Sequence, residues 1–146
     1  LMVPQITRAL IKNGQVMEQF KPEKIRRVIS ERTSRQLVEV LKSVVKTGTG
    51  KKAALEGFDV AGKTGTAQKY NTETRSYSKT EFISSFIGFA PADSPRLVIL
   101  VMIDNPHGLH GGNVVAAPVF REIAKKTLRY LNVPSSKERV FILDRA

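Results

Sequence analysis

Short apolar runs separated by polar links make up the first part of the chain. Residues 6–11 and 16–20 are two such runs, and the pair Asn13-Gly14 lies between them. Asparagine and glycine tolerate the positive φ angles of a tight turn between antiparallel strands. The pattern therefore predicts a short β-hairpin.

An apolar repeat of three and four residues follows the hairpin. Its members are Leu37, Val38, Leu41, Val44 and Val45. This spacing places them on one face of an amphipathic helix that ends at about Lys46. Thr33 and Gln36 have the spacing of a capping box, which predicts where the helix begins. Gly48 and Gly50 predict its end.

The middle of the chain has the texture of strands. Residues 58–68 are small and rich in glycine, whereas residues 69–81 are polar, have no period and are predicted to form a loop. Residues 82–90 are a strand candidate. Residues 96–103 are almost continuously aliphatic, which predicts a strand buried on both faces. The link between these two strands, residues 91–95, is short, so they are expected to pair antiparallel.

A second amphipathic helix is predicted for residues 114–131, after a loop at residues 104–112. Its expected buried stripe is Ala116, Phe120, Ile123, Ala124, Thr127, Leu128 and Leu131. Pro118 is best tolerated in the first turn of this helix. The order of elements predicts an α+β fold with an antiparallel sheet packed against helices.

Composition sets few limits on function. The length of 146 residues suits one domain or one piece of a larger one. Without cysteine, neither a disulfide framework nor a thiolate metal site is expected. The longest apolar run, residues 97–103, is far shorter than the roughly 18 residues of a membrane span. The first residues do not resemble a signal peptide. This does not exclude a membrane-anchored parent protein, whose anchor would lie outside this chain.

The formal net charge of +11 favours anionic partners. Many of the cations lie in residues 21–52, where nucleic-acid binding and a solvated basic face are the two interpretations. A base-stacking surface would require aromatic residues between the cations, and few are present there. The solvated face is therefore preferred, and no nucleic-acid partner is expected.

The segment Lys63-Thr64-Gly65-Thr66 is the main candidate for chemistry. On a strand, Lys63 and Gly65 point to one side, and Thr64 and Thr66 to the other. A lysine there can hold a charge beside a reacting centre, two hydroxyls can bind one carboxylate, and a glycine admits a substrate. A backbone N–H at the strand edge can stabilise an oxyanion. Taken alone, these four residues more often belong to a plain strand with a surface lysine.

The surroundings of this segment resemble a known family. Lys-Thr-Gly is one of three signatures of β-lactamases and penicillin-binding proteins. Four stretches are similar to class B penicillin-binding transpeptidases of the division or elongation type, in that family's order: residues 48–50, 60–68, 85–91 and 111–120. The resemblance covers residues 1–134. It implies the C-terminal part of a β-lactamase-like transpeptidase domain, with residues 135–146 as a C-terminal tail.

The resemblance implies a role for each residue of the motif. Lys63 would support the charge and proton network of the cleft. Thr64 and Thr66 would bind the terminal carboxylate of a donor peptide or a β-lactam. Gly65 would leave room, and the backbone of Thr66 would help to form the oxyanion hole. The central hypothesis is an edge strand that faces a groove.

The same resemblance implies the substrate, partners and location of the parent protein. It would cross-link peptidoglycan stem peptides through a serine acyl-enzyme on the extracytoplasmic (periplasmic) face of the bacterial cell membrane, with its anchor outside this chain. Partners would be stem peptides, β-lactam antibiotics and membrane proteins of cell division or elongation. No metal or organic cofactor is implied.

His110 and Gly111 are implied to border the substrate groove, because the Gly-Gly region lies near the cleft in the family. His107 and His110 also suggest a metal pair. Two histidines three apart in a glycine loop, without a matched carboxylate, are more often ordinary loop residues. The histidines are therefore not expected to bind metal.

The family's serine nucleophile, in Ser-x-x-Lys, has no convincing counterpart. Ser43 and Ser76 each precede a lysine by three residues, but one lies late in the predicted helix and the other in the predicted loop. The family's Ser-x-Asn motif is absent. The nucleophile is therefore expected outside this chain, and the chain alone is expected not to bind penicillin covalently.

A second Lys-Thr-Gly-Thr occurs at residues 46–49, where the helix is predicted to end, and is interpreted as chance repetition.

Alternatives to the transpeptidase remain. One is a serine β-lactamase or D,D-carboxypeptidase fragment, which shares the Lys-Thr-Gly strand. Another is a non-catalytic penicillin-binding-like sensor module. A salt titration of DNA binding would test the basic nucleic-acid binder.

Overall fold

The computed structural model describes residues 1–135. Of the predicted C-terminal tail, Ser135 is described, and residues 136–146 lie outside the described residues. The chain divides into two compact units, the first formed by residues 1–35 and the second by the residues from Gln36 onwards. None of the helices within residues 1–135 has the length and apolar character to cross a membrane.

The first unit contains the predicted hairpin. Strand β1 (Ala9–Lys12) pairs antiparallel with strand β2 (Gln15–Gln19). The turn residues Asn13 and Gly14 have φ angles of 51° and 77°, the left-handed conformation that these residue types tolerate. The hairpin is confirmed, with a first strand shorter than predicted.

Helix α1 spans Glu31–Lys46. The capping residue was predicted wrongly: Ser30 Oγ accepts the backbone N–H of Thr33 at 3.0 Å, so Ser30 satisfies a free donor of the first turn. Thr33 is the third residue of the helix. At the other end, the Gly48 N–H donates to the Ser43 carbonyl and the Gly50 N–H to the Val44 carbonyl. The predicted end of the helix is confirmed.

The second unit is built on a three-stranded antiparallel sheet in the order β3-β4-β5, formed by Ala61–Asn71, Ser76–Ala90 and Leu97–Asp104. The antiparallel pairing is confirmed. The predicted loop at residues 69–81 is wrong, because β3 and β4 continue through most of it and only residues 72–75 form the turn.

The prediction that the last strand is buried on both faces is also wrong. Alternate residues of β5 point into the core, among them Val101. The residues between them, Val98, Leu100 and Met102, are 55–71% exposed. Within residues 1–135, helices cover only one face of this sheet.

The predicted C-terminal helix is two helices, α2 (Gly112–Val115) and α3 (Ala117–Tyr130), with Pro118 in the first turn of α3. The rings of Phe86 and Phe120, both fully buried, meet edge to face at 4.8 Å. The stripe is only partly confirmed, because Ile123 and Leu131 are each 42% exposed. The α+β fold with helices packed on an antiparallel sheet is confirmed.

A buried lysine ties α1 to the segments around the sheet. The Lys42 side chain is 11% exposed, and its ammonium lies 2.9 Å from Asp59 and 3.1 Å from Asp93. Hydrogen bonds to these two carboxylates raise the pKa of Lys42 above its usual range. The bond from Lys42 lowers the pKa of Asp59 below its ordinary 3.8. The network joins α1 to the segment before β3 and to the turn after β4.

Replacing Lys42 with methionine should lower the free energy of unfolding by about 1–3 kcal/mol, because charged hydrogen bonds are lost but Asp93 stays largely hydrated. Urea titration measures this change, and Lys46→Met is the control. Lys46 is 60% exposed and 3.5 Å from Asp59, so its loss should cost less than about 1 kcal/mol. Equal losses of unfolding free energy in the two variants would contradict the stabilising role assigned to Lys42.

The same pair predicts how stability depends on pH. Asp59 has a lowered pKa in the folded state, so its contribution is present above 3.8 and is lost as the pH falls below that value. Lys42 has a raised pKa, so its contribution is lost as the pH rises above 10.5. Lys42→Met should flatten both limbs of the profile.

Candidate functional site

The Lys-Thr-Gly-Thr segment lies on β3, which is an edge strand of the three-stranded sheet in the described chain. In the register with β4, Thr64 lies opposite Phe86 and Thr66 opposite Ser84. Since directly paired residues share a face, the two threonines lie on the face that packs against α2 and α3. Lys63 and Gly65 lie on the other face. The predicted alternation and edge position are confirmed.

Both threonine hydroxyls of the motif have a partner. Thr64 Oγ1 lies 3.1 Å from Thr49 Oγ1, and either atom can be the donor. Thr66 Oγ1 accepts the backbone N–H of Gly112 at 3.2 Å. A threonine hydroxyl carries one proton and two lone pairs. Because Gly112 uses a lone pair, Thr66 keeps its proton for another acceptor.

Lys63 extends from the same strand toward solvent. Its side chain is exposed, and its ammonium donates to the backbone carbonyl of Thr64 at 3.0 Å. This local bond uses one of the three N–H donors of a lysine. The other two donors can therefore interact with an arriving group.

Two glycines allow close backbone contact at the motif. A Cβ on Gly65 would lie 2.5 Å from Ser85 Oγ. A Cβ on Gly112 would collide with the carbonyl oxygen of Ser85 and would lie 2.6 Å from that of Gly65. Backbone atoms cannot move aside as the end of a flexible side chain can. Only glycine at position 112 lets the N-terminus of α2 reach β3 and β4.

The segment before α2 is fixed to β4 by His110. The imidazole stacks on the ring of Phe82, with 3.9 Å between the centroids and 8° between the planes. The carbonyl of His110 accepts a hydrogen bond from the buried hydroxyl of Ser84. The carbonyl of Gly111 accepts the N–H groups of Val114 and Val115. In this segment, it is the neighbouring Gly112 that contacts the motif directly.

Thr49, Ser84 and Gly112 are residues of this site that the sequence analysis did not identify. Thr49 belongs to the second Lys-Thr-Gly-Thr, which lies at the end of α1 as predicted, yet its hydroxyl contacts Thr64. The repeated motif and the Gly-Gly pair were signals for Thr49 and Gly112. Nothing local distinguishes Ser84 from a packing serine.

The two serines that precede a lysine by three residues have local partners. The Ser43 hydroxyl donates to the Val40 carbonyl within α1 at 2.6 Å. Ser76 pairs with Asn71 at the far end of β3, eight residues beyond Lys63. That separation is about 26 Å along a strand. Within residues 1–135, no group of three or more histidines, cysteines or acids is placed to hold a metal ion.

Comparisons with known proteins agree with this geometry. Residues 1–125 match the family model of the penicillin binding protein transpeptidase domain. Stage V sporulation protein D of Bacillus subtilis is 47% identical over 116 residues, which are 79% of this chain and 18% of that protein. PbpB of Mycolicibacterium smegmatis is 43% identical over 145 residues, covering 92% of this chain and 22% of PbpB.

Solved structures show the same likeness. Penicillin binding protein 3 of Mycobacterium tuberculosis in complex with aztreonam has a TM-score of 0.78 at 34% identity, over 92% of this chain and 32% of that one. The transpeptidase domain of penicillin-binding protein 3 from Burkholderia pseudomallei has a TM-score of 0.70 at 40% identity, over 87% and 37%. The chain spans about a fifth of the curated relatives named above. It belongs to the penicillin-binding protein transpeptidase domain family.

Proposed function

We propose that this chain is the carboxylate-binding part of a peptidoglycan D,D-transpeptidase whose nucleophilic serine lies outside residues 1–146. The arrangement of Thr64 and Thr66 carries the proposal. Both hydroxyls lie on an edge strand next to an exposed lysine, and Thr66 has a proton to donate. Such a group suits the terminal carboxylate of a stem peptide or of a β-lactam.

The reaction divides between this chain and the rest of the parent protein. The serine oxygen attacks the carbonyl of the penultimate D-alanine, and its proton passes to the cleft network that Lys63 supports. The peptide bond breaks, D-alanine leaves with a proton on its nitrogen, and an ester to serine remains. An amine of a neighbouring stem peptide then attacks the ester and forms the cross-link, and the bond from the carbonyl carbon to the serine oxygen breaks. The amine gives up a proton through the cleft network, and the serine oxygen takes it up as it leaves.

The residues of the motif hold the donor during these steps. Thr64 and Thr66 bind its terminal carboxylate, and Gly65 leaves room for its backbone. The N–H of Thr66 stabilises the oxyanion that forms on the attacked carbonyl. His110 and Gly111 border the groove, and the stacking of His110 on Phe82 supports a rigid border.

Relatives support the transpeptidase over a β-lactamase or carboxypeptidase. The matching PenA protein of Neisseria meningitidis is named a probable peptidoglycan D,D-transpeptidase. Structures of the relative from Mycobacterium tuberculosis contain ampicillin or aztreonam. We propose β-lactams as ligands of the parent protein, a location on the extracytoplasmic face of the cell membrane, and membrane proteins of division or elongation as partners.

Labelling with a fluorescent penicillin tests the proposal. The longer protein, expressed with the upstream segment of its own gene, should form a covalent adduct that survives denaturing electrophoresis. The chain of residues 1–146 should not be labelled, because it lacks the nucleophile. A longer protein that is folded and yet not labelled would overturn the proposed function, and a labelled short chain would overturn the placement of the serine.

A further inference from the structure

Two hydroxyls on neighbouring strands hold the segment of residues 110–112. Ser84 on β4 lies directly opposite Thr66 on β3. The Ser84 hydroxyl donates to the carbonyl of His110, and Thr66 Oγ1 accepts the N–H of Gly112. The segment is therefore bound at both ends by one cross-strand pair.

The two bonds differ in whether the hydroxyl still has a proton to donate. Ser84 is fully buried, so its proton has no water to bind, and the His110 carbonyl is its acceptor. Thr66 is exposed, and its single proton is not used by Gly112. The buried bond from Ser84 fixes the segment, while the exposed Thr66 hydroxyl keeps a proton that it can donate to a ligand.

The position of the Gly112 amide decides how Thr66 is oriented. If this amide moved away, Thr66 Oγ1 would lose its donor, and the hydroxyl would be free to rotate. Close backbone contact at Gly112 resists movement toward β3 and β4. Movement away from the strands is opposed by the Ser84 bond, two residues earlier in the chain.

We propose that Ser84 is a positioning residue for Thr66. By holding the His110 carbonyl, it keeps the Gly112 amide against Thr66 Oγ1 and directs the Thr66 proton to the carboxylate of the donor peptide or β-lactam. This inference rests on the proposed function, because it assigns Ser84 to carboxylate recognition by the same site. Ser84 does not touch the substrate.

The test compares two ligands that differ only in the carboxylate. Benzylpenicillin and its methyl ester are reacted with the longer protein, and the second-order rate constant of acylation is measured for each. Ser84→Ala should lower the acid-to-ester ratio of rate constants about 3–10-fold, as expected for one misaligned hydrogen bond. A general loss of folded protein lowers both rates alike and leaves the ratio unchanged.

Three further variants make the comparison specific. Ser84→Thr keeps the hydroxyl and should restore most of the ratio. Ser84→Cys has only a weak donor and replaces the alanine variant if that one does not fold. Thr127→Val is the control, because the Thr127 hydroxyl also donates to a backbone carbonyl, that of Ile123, within α3. Its ratio should equal that of the unchanged protein.

The outcomes separate the two proposals. An unchanged ratio in Ser84→Ala, with a preference for the acid in the unchanged protein, overturns the role of Ser84 and leaves the proposed function intact. An unchanged protein that shows no preference for the acid overturns carboxylate recognition by the motif, and with it the role of Ser84. A lowered ratio that Ser84→Thr restores supports the inference.

Discussion

Replacing Lys63 with alanine in the longer protein should slow acylation by benzylpenicillin about 10²–10³-fold. The Lys63 ammonium lies 3.0 Å from the Thr64 carbonyl on the edge strand. In the proposed reaction, charge develops near this strand as the serine attacks. Removing one preorganised group of this kind from a reaction centre has an effect of about that size. Stopped-flow or gel-based acylation rates provide the measurement.

The chain contains its own control for this experiment. Lys46 begins the second Lys-Thr-Gly-Thr, but it lies at the end of α1 and is 60% exposed. Lys46→Ala should change the acylation rate less than about threefold, because Lys46 pairs with Asp59 and does not lie on the motif strand β3. Equal losses in the two variants would show that positive charge in general, and not Lys63 on β3, supports the reaction.

Replacing Phe86 with alanine should lower the free energy of unfolding by about 3–5 kcal/mol, the usual cost of removing a buried phenylalanine ring. The ring is fully buried against Phe120. It also lies under β3, since a Cβ on Gly62 would come within 2.6 Å of it. A small domain is stable by only about 5–15 kcal/mol, so this loss is large.

Urea denaturation of the chain measures the effect of Phe86→Ala. Ile87→Ala is the matched control, because Ile87 is the next residue of β4, points to the other face and is 48% exposed. It should cost less than about 1 kcal/mol. If the two variants lost the same stability, Phe86 would not be the centre of the core.

Local chemistry explains which elements the sequence predicted correctly. Asn13-Gly14 forms the hairpin turn because few other pairs adopt two positive φ angles. Gly48 and Gly50 follow the apolar repeat directly, and their N–H groups end α1 by donating to the carbonyls of Ser43 and Val44. The start of α1 was missed because Ser30 and Thr33 both have capping hydroxyls, and the pattern alone does not choose between them.

The errors in the sheet have a different cause. The outer halves of β3 and β4 are largely polar, so they have no hydrophobic period, and pairing such as that of Tyr70 with Tyr77 defines them. In β5 the aliphatic run predicted two buried faces. Only one is covered within residues 1–135, and an aliphatic side chain does not reveal whether a partner lies over it.

The candidate site was predictable only as far as the motif itself. Lys63–Thr66 were recognised from the motif together with the four stretches that resemble class B transpeptidases. Thr49, Ser84 and Gly112 join the site through contacts between residues 15 to 46 positions apart in sequence. The repeated motif and the Gly-Gly pair drew attention to Thr49 and Gly112, but their contacts with β3 depend on how the strands and helices pack.

The central claim is that this chain supplies the Lys-Thr-Gly-Thr strand of a transpeptidase and that another segment supplies the serine. Mass spectrometry of peptides from the penicillin-labelled longer protein tests it most directly. We expect the penicilloyl group on a serine upstream of Leu1, within a Ser-x-x-Lys sequence. An adduct on Ser43 or Ser76, or on any other residue of this chain, would contradict the account.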